Sequence, residues 1–396
     1  MTSLLPTPSE FALFWPIASS VVYLNHGSFG ACPQAILDIQ QEYRQQLERE
    51  PVRFMMRDME ELYDLSRQKT ASFVNAWPRD LVFVQNATAA VNIVFRSIHF
   101  NPGDEILFTS HIYDACRRLL EFVSERTGAR LVEAEFDFPV ASPDLITEAL
   151  LARVTPRTRI ALIDHISSAT ALIHPVENIV RELEKRGVDT MIDGAHALGS
   201  IPLDLEKIGA AYYTANCHKW LCSPKSTAIL HVRSDKQEGI YPLVVSHAGH
   251  RTESFAERFF WPGTCDPTPM LCVGYAIGYM ESLVTGGWPA LMKRNHNLCV
   301  EARKLICEVL EIPLPCPGSM IASMAAFPLP MPKGGTPPDY KDFDPLQERF
   351  YREFNIEIPV WYWSSPAIRL ARISAQLYNS MEQYRYFAMI LKDFIR

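Results

Sequence analysis

Residues 193–232 read DGAHALGSIPLDLEKIGAAYYTANCHKWLCSPKSTAILHV, and the apolar run VDTMI lies immediately before them. The pattern predicts a strand ending at Asp193, a short helix over 203–209, a strand over 210–216 and another over 227–232. Two charged residues stand out against it. Asp193 closes an apolar strand, where a carboxylate without a partner is expensive. It either caps the following turn through Gly194-Ala195 or faces a cationic ring nitrogen. Lys219 sits in the apolar setting CHKWLC, 26 positions later. It is either a lysine snorkelling to the surface or a desolvated amine, the state that a Schiff-base lysine needs.

Outward from this stretch the chain alternates. Strands are expected at 81–84, 105–110, 130–136 and 159–166, with helices at 89–98, 114–128, 142–154 and 175–187. Strand, helix, strand at these lengths predicts an α/β fold, a mostly parallel central sheet with helices on both faces. Before it, a short strand at 21–24 ends at the turn-rich Asn25-His26-Gly27-Ser28-Phe29-Gly30, and two helices fill 34–75, interrupted by Pro51. After about residue 270 the pattern changes. A long helix near 288–310 leads into 313–338, where eight prolines predict an irregular crossing. Strands at 354–363 and 367–374 and a terminal helix at 381–395 then predict a smaller α+β domain. The expected division is an arm over 1–20, a large domain over 21–275 and a small domain over 276–396.

Ligands of open parallel sheets bind beyond the carboxyl ends of the strands. The polar groups expected there are Asn86-Ala87-Thr88, Ser110 to Tyr113, Asp164 to Ser168, Asp193 to His196, and Asn216 to Lys219. A Schiff-base lysine paired with an aspartate on a pyridinium nitrogen is the signature of pyridoxal 5'-phosphate. The 193–232 stretch resembles the cofactor core of the fold-type I pyridoxal-phosphate enzymes of the class V aminotransferase superfamily. YLNHGSFGACP, VQNATAAVN, WPGTCDPTP and IRLARISAQLYN resemble more closely its isopenicillin N epimerase-like branch. The resemblance runs from about residue 20 to the C-terminus.

It implies specific roles. Lys219 would hold the cofactor as a Schiff base and move protons at Cα, and Asp193 would keep the ring nitrogen protonated. His196 would contact the ring hydroxyl side together with Ser168. Tyr113 matches the aromatic stacked on the ring, with His111 as the alternative. The phosphate would rest on Ala87 and Thr88 at a helix N-terminus, where free amides favour anions, with Asn216 and His218 as further donors. Gly263-Thr264 matches a segment that reaches the phosphate from the neighbouring subunit, which implies a homodimer with composite sites. Arg372 would grip the substrate α-carboxylate as a fork, with Asn25 and His26 lining the same pocket. Arg369 is its competitor, read as a solvated strand residue.

The chain has 396 residues, 38 Lys+Arg against 45 Asp+Glu, and 48% hydrophobic residues. That balance excludes a mainly disordered chain and gives no basic stripe for a nucleic acid. No apolar run is long enough for a membrane span. Nine scattered cysteines, an odd number without a CxxC pair, point to reduced thiols and a cytoplasmic location. The cysteine desulfurases of the same superfamily carry a nucleophilic cysteine before the carboxylate-binding arginine; EIPVWYWSSPAIRLAR has none. His247 and His250 form an HxxH without a third ligand nearby, so no metal is expected. The Trp361-Tyr362-Trp363 run reads as core or pocket wall. The function expected is epimerisation at Cα of an amino acid or amino-acid-tailed molecule. The alternatives are a carbon–sulfur lyase acting on cysteine conjugates or sulfoxides, an aminotransferase, and a cofactor-free scaffold of the same fold.

Overall fold

The computed structural model describes residues 5–247, 254–331, 344–363 and 368–395. Seven strands form the central sheet: β2 (Leu81–Val84), β3 (Glu105–Thr109), β4 (Arg130–Ala134), β5 (Thr158–Asp164), β6 (Asp189–Asp193), β7 (Tyr212–Asn216) and β8 (Ala228–Val232). Their order across the sheet is β2-β8-β7-β6-β5-β3-β4. Every pairing is parallel except those of β8, which runs antiparallel to both neighbours. Apart from Arg159 and Asp189 near their starts, the inner strands are buried, as expected where helices cover both faces. Alternate residues divide between two cores. Ile160, Leu162 and Met191 join the helices Ala87–Ser97 and Asp114–Thr127 on one face, while Ala161, Ile163 and Ile192 join the main core on the other.

Local chemistry sets the helix limits. Asn86 accepts from the Ala89 amide and starts the helix after β2; Ser142 accepts from Asp144, with Pro143 at the first helical position. Gly128, in the left-handed region at φ +77°, ends the helix Asp114–Thr127.

The C-terminal part holds a second sheet, β11 (Val360–Trp363), β12 (Ile368–Ser374) and β9 (Met324–Pro328), all antiparallel. The helices Gly287–Leu310 and Met381–Ile395 pack beside it. Strand β9 lies inside the proline-rich stretch expected to be irregular. Its five residues, MAAFP, carry a single proline at the end, so the ladder loses no internal donor. The segment expected as one strand over 354–363 is two, because β10 (Ile356–Glu357) leaves the sheet to pair in parallel with β1 (Val22–Tyr23). This pairing ties the N-terminal segment to the C-terminal part and brings Asn25 to Gly30 under β12. The Gly27 amide donates to Ser374 Oγ at 3.0 Å.

Candidate active site

Strands β5 and β6 end side by side, with Asp164 and Asp193 as register partners. Asp193 is buried. Its Oδ1 accepts from the Ala195 amide at 2.9 Å and its Oδ2 from the Cys116 thiol at 3.5 Å. The turn-capping alternative is therefore present in the structure, and one carboxylate oxygen serves it. Burial pushes the Asp193 carboxyl up, and the Ala195 amide, the Lys219 charge and the Cys116 thiol draw it back. Gly194 is required here: a Cβ would lie 2.3 Å from the Tyr213 hydroxyl.

Lys219 follows β7, on a turn braced from below. Its Nζ lies 3.2 Å from His196 Nε2. Burial and the nearby Arg372 charge bring its ammonium down from 10.5 to about 8, against the pull of Asp193 and Asp164. Its carbonyl is bonded to His26 Nε2 at 3.0 Å, while His26 Nδ1 meets the Tyr378 hydroxyl at 2.8 Å. His26 is fully buried and packs on Trp220. With both ring nitrogens engaged, it supports the Lys219 turn instead of lining a substrate pocket, which corrects the expected role. Gly30 also touches this turn. Its φ is +70°, and a Cβ there would meet the His218 carbonyl at 2.1 Å.

At the helix Ala87–Ser97 the expected pair of free amides is reduced to one. Asn216 Oδ1 accepts from the Ala87 amide at 2.9 Å. The Thr88 amide, in the second helical position, has no preceding turn to bond to and remains available to an anion. Asn216 thus spends its carbonyl oxygen on the helix. His218 donates its Nδ1 proton to the Thr227 carbonyl at 2.9 Å and burial lowers its pKa to about 4, so the neutral ring has no Nε2 proton for an anion, which corrects the donor role expected of it.

Tyr113 and His111 occupy different settings. His111 is fully buried, bonded to Thr170 Oγ1 at 2.7 Å and the Phe136 carbonyl at 3.1 Å, and stacked on Phe136 with centroids 3.8 Å apart. Trp363 closes on its edge. No ring face of His111 is left for a ligand. Tyr113 keeps 45% of its surface exposed and lies within electrostatic reach of Asp193 and Arg372.

Arg372, on β12, is buried and makes no ion pair among the described residues. Its Nη1 donates to the Ser168 carbonyl and to Ser168 Oγ, the latter at 3.3 Å, and its Nη2 donates to Ser28 Oγ at 3.3 Å. Ser28 in turn donates to Asn25 Oδ1 at 2.6 Å, and Asn25 Nδ2 to Glu357 at 3.3 Å. The Trp361 ring lies 5.6 Å from the guanidinium. A buried guanidinium held by neutral acceptors still carries uncompensated charge, which an anionic ligand would complete. Arg369 differs. It makes a two-bonded pair with the buried Asp344, at 2.7 and 2.5 Å, so the solvated role expected for it is replaced by a structural ion pair.

Thr264 is exposed. The adjoining Gly263 lines a cavity of about 710 Å³ with Tyr63, Phe83, Lys225 and Phe259, and Gln85 and Ala89, on either side of Ala87-Thr88, line it too. His247 is exposed and His250 lies outside the described residues, and no group of three candidate metal ligands occurs among the described residues. Asp164 was visible in the sequence only as one polar strand-end residue among many.

Lys219, His196, Asp193, Tyr113 and Arg372 therefore meet at the carboxyl ends of β5 to β7. The sequence model of the aminotransferase class-V family matches residues 22–326. This chain belongs to the class-V aminotransferase family. Enzymes of this family depend on pyridoxal 5'-phosphate. Within it, the chain is 31% identical to the probable L-cysteine desulfhydrase, chloroplastic, of Arabidopsis thaliana, over 94% of this chain and 82% of that protein. It is equally 31% identical to isopenicillin N epimerase of Streptomyces clavuligerus, over 92% of both chains. The fold is also that of the apo cysteine desulfurase from Thermococcus onnurineus NA1, with a TM-score of 0.81 at 20% identity over 100% of this chain and 99% of the other.

The residues present suit the class-V cofactor. A half-buried lysine with a depressed pKa can form a Schiff base. A buried carboxylate at a neighbouring strand end can meet a ring nitrogen, and one helix-terminal amide is open to a phosphate. No helix among the described residues is long and apolar enough to cross a membrane.

Proposed function

We propose that this class-V enzyme removes the Cα proton of an α-amino acid and expels a sulfur-linked group from Cβ, as a carbon–sulfur lyase. Lys219 would bind pyridoxal phosphate, Asp193 would face the ring nitrogen, Tyr113 would stack on the ring, and the Thr88 amide would meet the phosphate. His196 and Ser168 would sit beside the ring hydroxyl. Bound there, the cofactor supplies an electron sink for the pair left on Cα. Arg372 receives the α-carboxylate and so fixes which bond at Cα faces Lys219.

The observation that carries the reaction is the half-exposed Tyr113 phenol placed with Lys219, Asp193 and Arg372 at the same strand ends, an acid beside a base. With its pKa at about 8, Lys219 can take up and release a proton near neutrality. The imidazoles of His26, His196 and His218 are held low by burial, and burial keeps the proton on Tyr113. Inversion at Cα can run on one base that returns the proton to the other face or on two groups, so the base by itself is common to both readings. Elimination requires one base and a donor to the leaving group, and Tyr113 is such a donor. This ordering reverses the expectation from sequence, which put epimerisation first. Epimerisation remains the second reading, favoured by the similarity to isopenicillin N epimerase over nearly all of both chains.

A panel of L-cysteine, cysteine S-conjugates and their sulfoxides tests the choice. Pyruvate and a released thiol, sulfide or sulfenate support the lyase. Loss of optical purity with solvent deuterium at Cα and no pyruvate would replace it with epimerisation. Keto acid with amino-cofactor would indicate an aminotransferase. A protein that never turns yellow with pyridoxal phosphate, and from which borohydride traps nothing on Lys219, would be a scaffold.

We further infer a homodimer, located in the cytoplasm, in which Thr264 completes the partner's phosphate site. The exposure of Thr264 supports this, as do the exposed apolar residues Leu243 and Val244, which line the same cavity as its neighbour Gly263.

A further inference from the structure

Asp164 is a buried carboxylate that the proposed chemistry does not use. It ends β5 as the direct register partner of Asp193 on β6. Partners in a parallel ladder point to the same face, and neighbouring strands lie about 4.8 Å apart. Ile160 and Leu162 on β5 and Met191 on β6 place that face against the helices Ala87–Ser97 and Asp114–Thr127. Asp164 is 2% exposed, and neither of its oxygens has a hydrogen-bond partner among the described residues. Asp193 receives an amide and a thiol instead.

We propose that Asp164 and Asp193 share one negative charge, Asp193 carrying it and Asp164 holding the proton. Two carboxylates side by side in a buried setting cannot both ionise, and the one with donors around it keeps the charge. The surroundings agree on every side. Asp193 faces Asp164 from β6, Lys219 from the turn after β7, and the Tyr113 amide from the segment before the helix Asp114–Thr127, outside hydrogen-bond geometry. Cys116 on that helix feels both carboxylates and keeps its thiol proton. Burial and the Asp193 charge drive Asp164 well above the usual carboxylate range, more strongly than the Lys219 charge and the Tyr113 amide oppose it.

The consequence for catalysis rests on the pyridoxal-phosphate reading. With Asp164 neutral, the pair presents a single charge to a ring N–H, and no second negative charge stands beside Asp193 to raise its basicity, so that the proton stays on the ring nitrogen.

The test is infrared difference spectroscopy of the full-length protein at neutral pH, without added cofactor, wild type minus Asp164→Asn. A carboxylic-acid carbonyl band, shifted in D2O, is expected in the wild type and lost in the variant. A carboxylate band lost in its place would overturn the proposal, as would a wild-type spectrum with no carboxylic-acid band at all. If asparagine at 164 prevents folding, Asp164→Ser serves for the same subtraction. A second arm separates the two readings. After loading with pyridoxal phosphate, Asp164→Asn, which mimics the protonated acid, is expected to keep the wild-type visible absorption and its pH midpoint, whereas Asp193→Asn shifts them. If the infrared band is present and neither protein colours, the shared proton stands and the cofactor reading fails. If the protein colours and the band is absent, the reverse holds.

Discussion

The Nζ atom of Lys219 lies 3.2 Å from Nε2 of His196, and the other ring nitrogen of that histidine has no partner among the described residues. The contact makes His196 an acceptor toward the lysine and leaves the imidazole proton on Nδ1. Both groups are driven toward neutrality by burial, the histidine well below its ordinary range and the lysine to about 8. An amine that is free near neutral pH is what a carbonyl reagent meets.

Capture of pyridoxal phosphate by the cofactor-free protein should therefore follow the free amine of Lys219. Below its pKa the free-amine fraction falls about tenfold per pH unit. The rate of colour formation should rise with pH and level off above about 8. A plateau only near the ordinary lysine value would mean that burial does not act on Lys219 as described. The same shift has a stability sign. A depressed lysine binds fewer protons folded than unfolded between about 8 and 10.5, so folding stability should gain over that interval, and Lys219→Met should remove the gain.

The two arginines of β12 should separate binding from folding. Arg372→Lys keeps the charge and loses the fork, and should weaken carboxylate-containing substrates and analogues roughly 10- to 100-fold while cofactor retention is unchanged. Arg369→Ala should leave KM unchanged and lower unfolding free energy by about 3 kcal/mol, because Asp344 is left buried without its cation. Measured KM and urea midpoints for both variants decide; a KM effect at Arg369 would reassign the substrate arginine.

Gly30→Ala should be disruptive. At φ +70° and ψ 166° the backbone is one that essentially only glycine adopts, and an alanine there costs on the order of 1–3 kcal/mol. The added methyl would also meet the His218 carbonyl at 2.1 Å and the Lys219 Cα at 2.9 Å. Lower thermal stability together with slower borohydride-trappable capture at Lys219 is expected. Normal capture in a stable variant would show that the Lys219 turn does not depend on this close approach.

Composite sites can be tested by mixing. Neither Lys219→Ala nor Thr264→Arg should be active alone. Co-refolded or co-expressed, they should regain activity, because one site of the hybrid dimer takes Lys219 from one chain and Thr264 from the other. No recovery in a mixture that sedimentation shows to be dimeric would remove Thr264 from the site.

The central sheet was legible because its signals are local. Near-continuous apolar strands such as IALID and DTMID alternate with capped helices, and each strand's polar terminus advertises the ligand edge. The second sheet was less legible. Strand β9 is hidden among prolines, since composition over 313–338 masks five residues with the right spacing. The split of 354–363 follows from a partner far away in sequence, β1, which no local window contains.

Site residues divide in the same way. Asp193, Lys219 and Arg372 announce themselves as charges in apolar settings, and their types already limit the chemistry. Which of Tyr113 and His111 faces a ligand, that His26 holds the Lys219 carbonyl, that Asn216 takes the Ala87 amide and that Arg369 is tied to Asp344 are decided by contacts between residues 25 to 252 positions apart. The sequence by itself determined the family, the fold class and the identity of the charged groups, because apolar periodicity and residue type are properties of short segments. Only the tertiary structure decided which polar atoms remain unpaired, since hydrogen-bond satisfaction and desolvation depend on what every other segment brings to the same point.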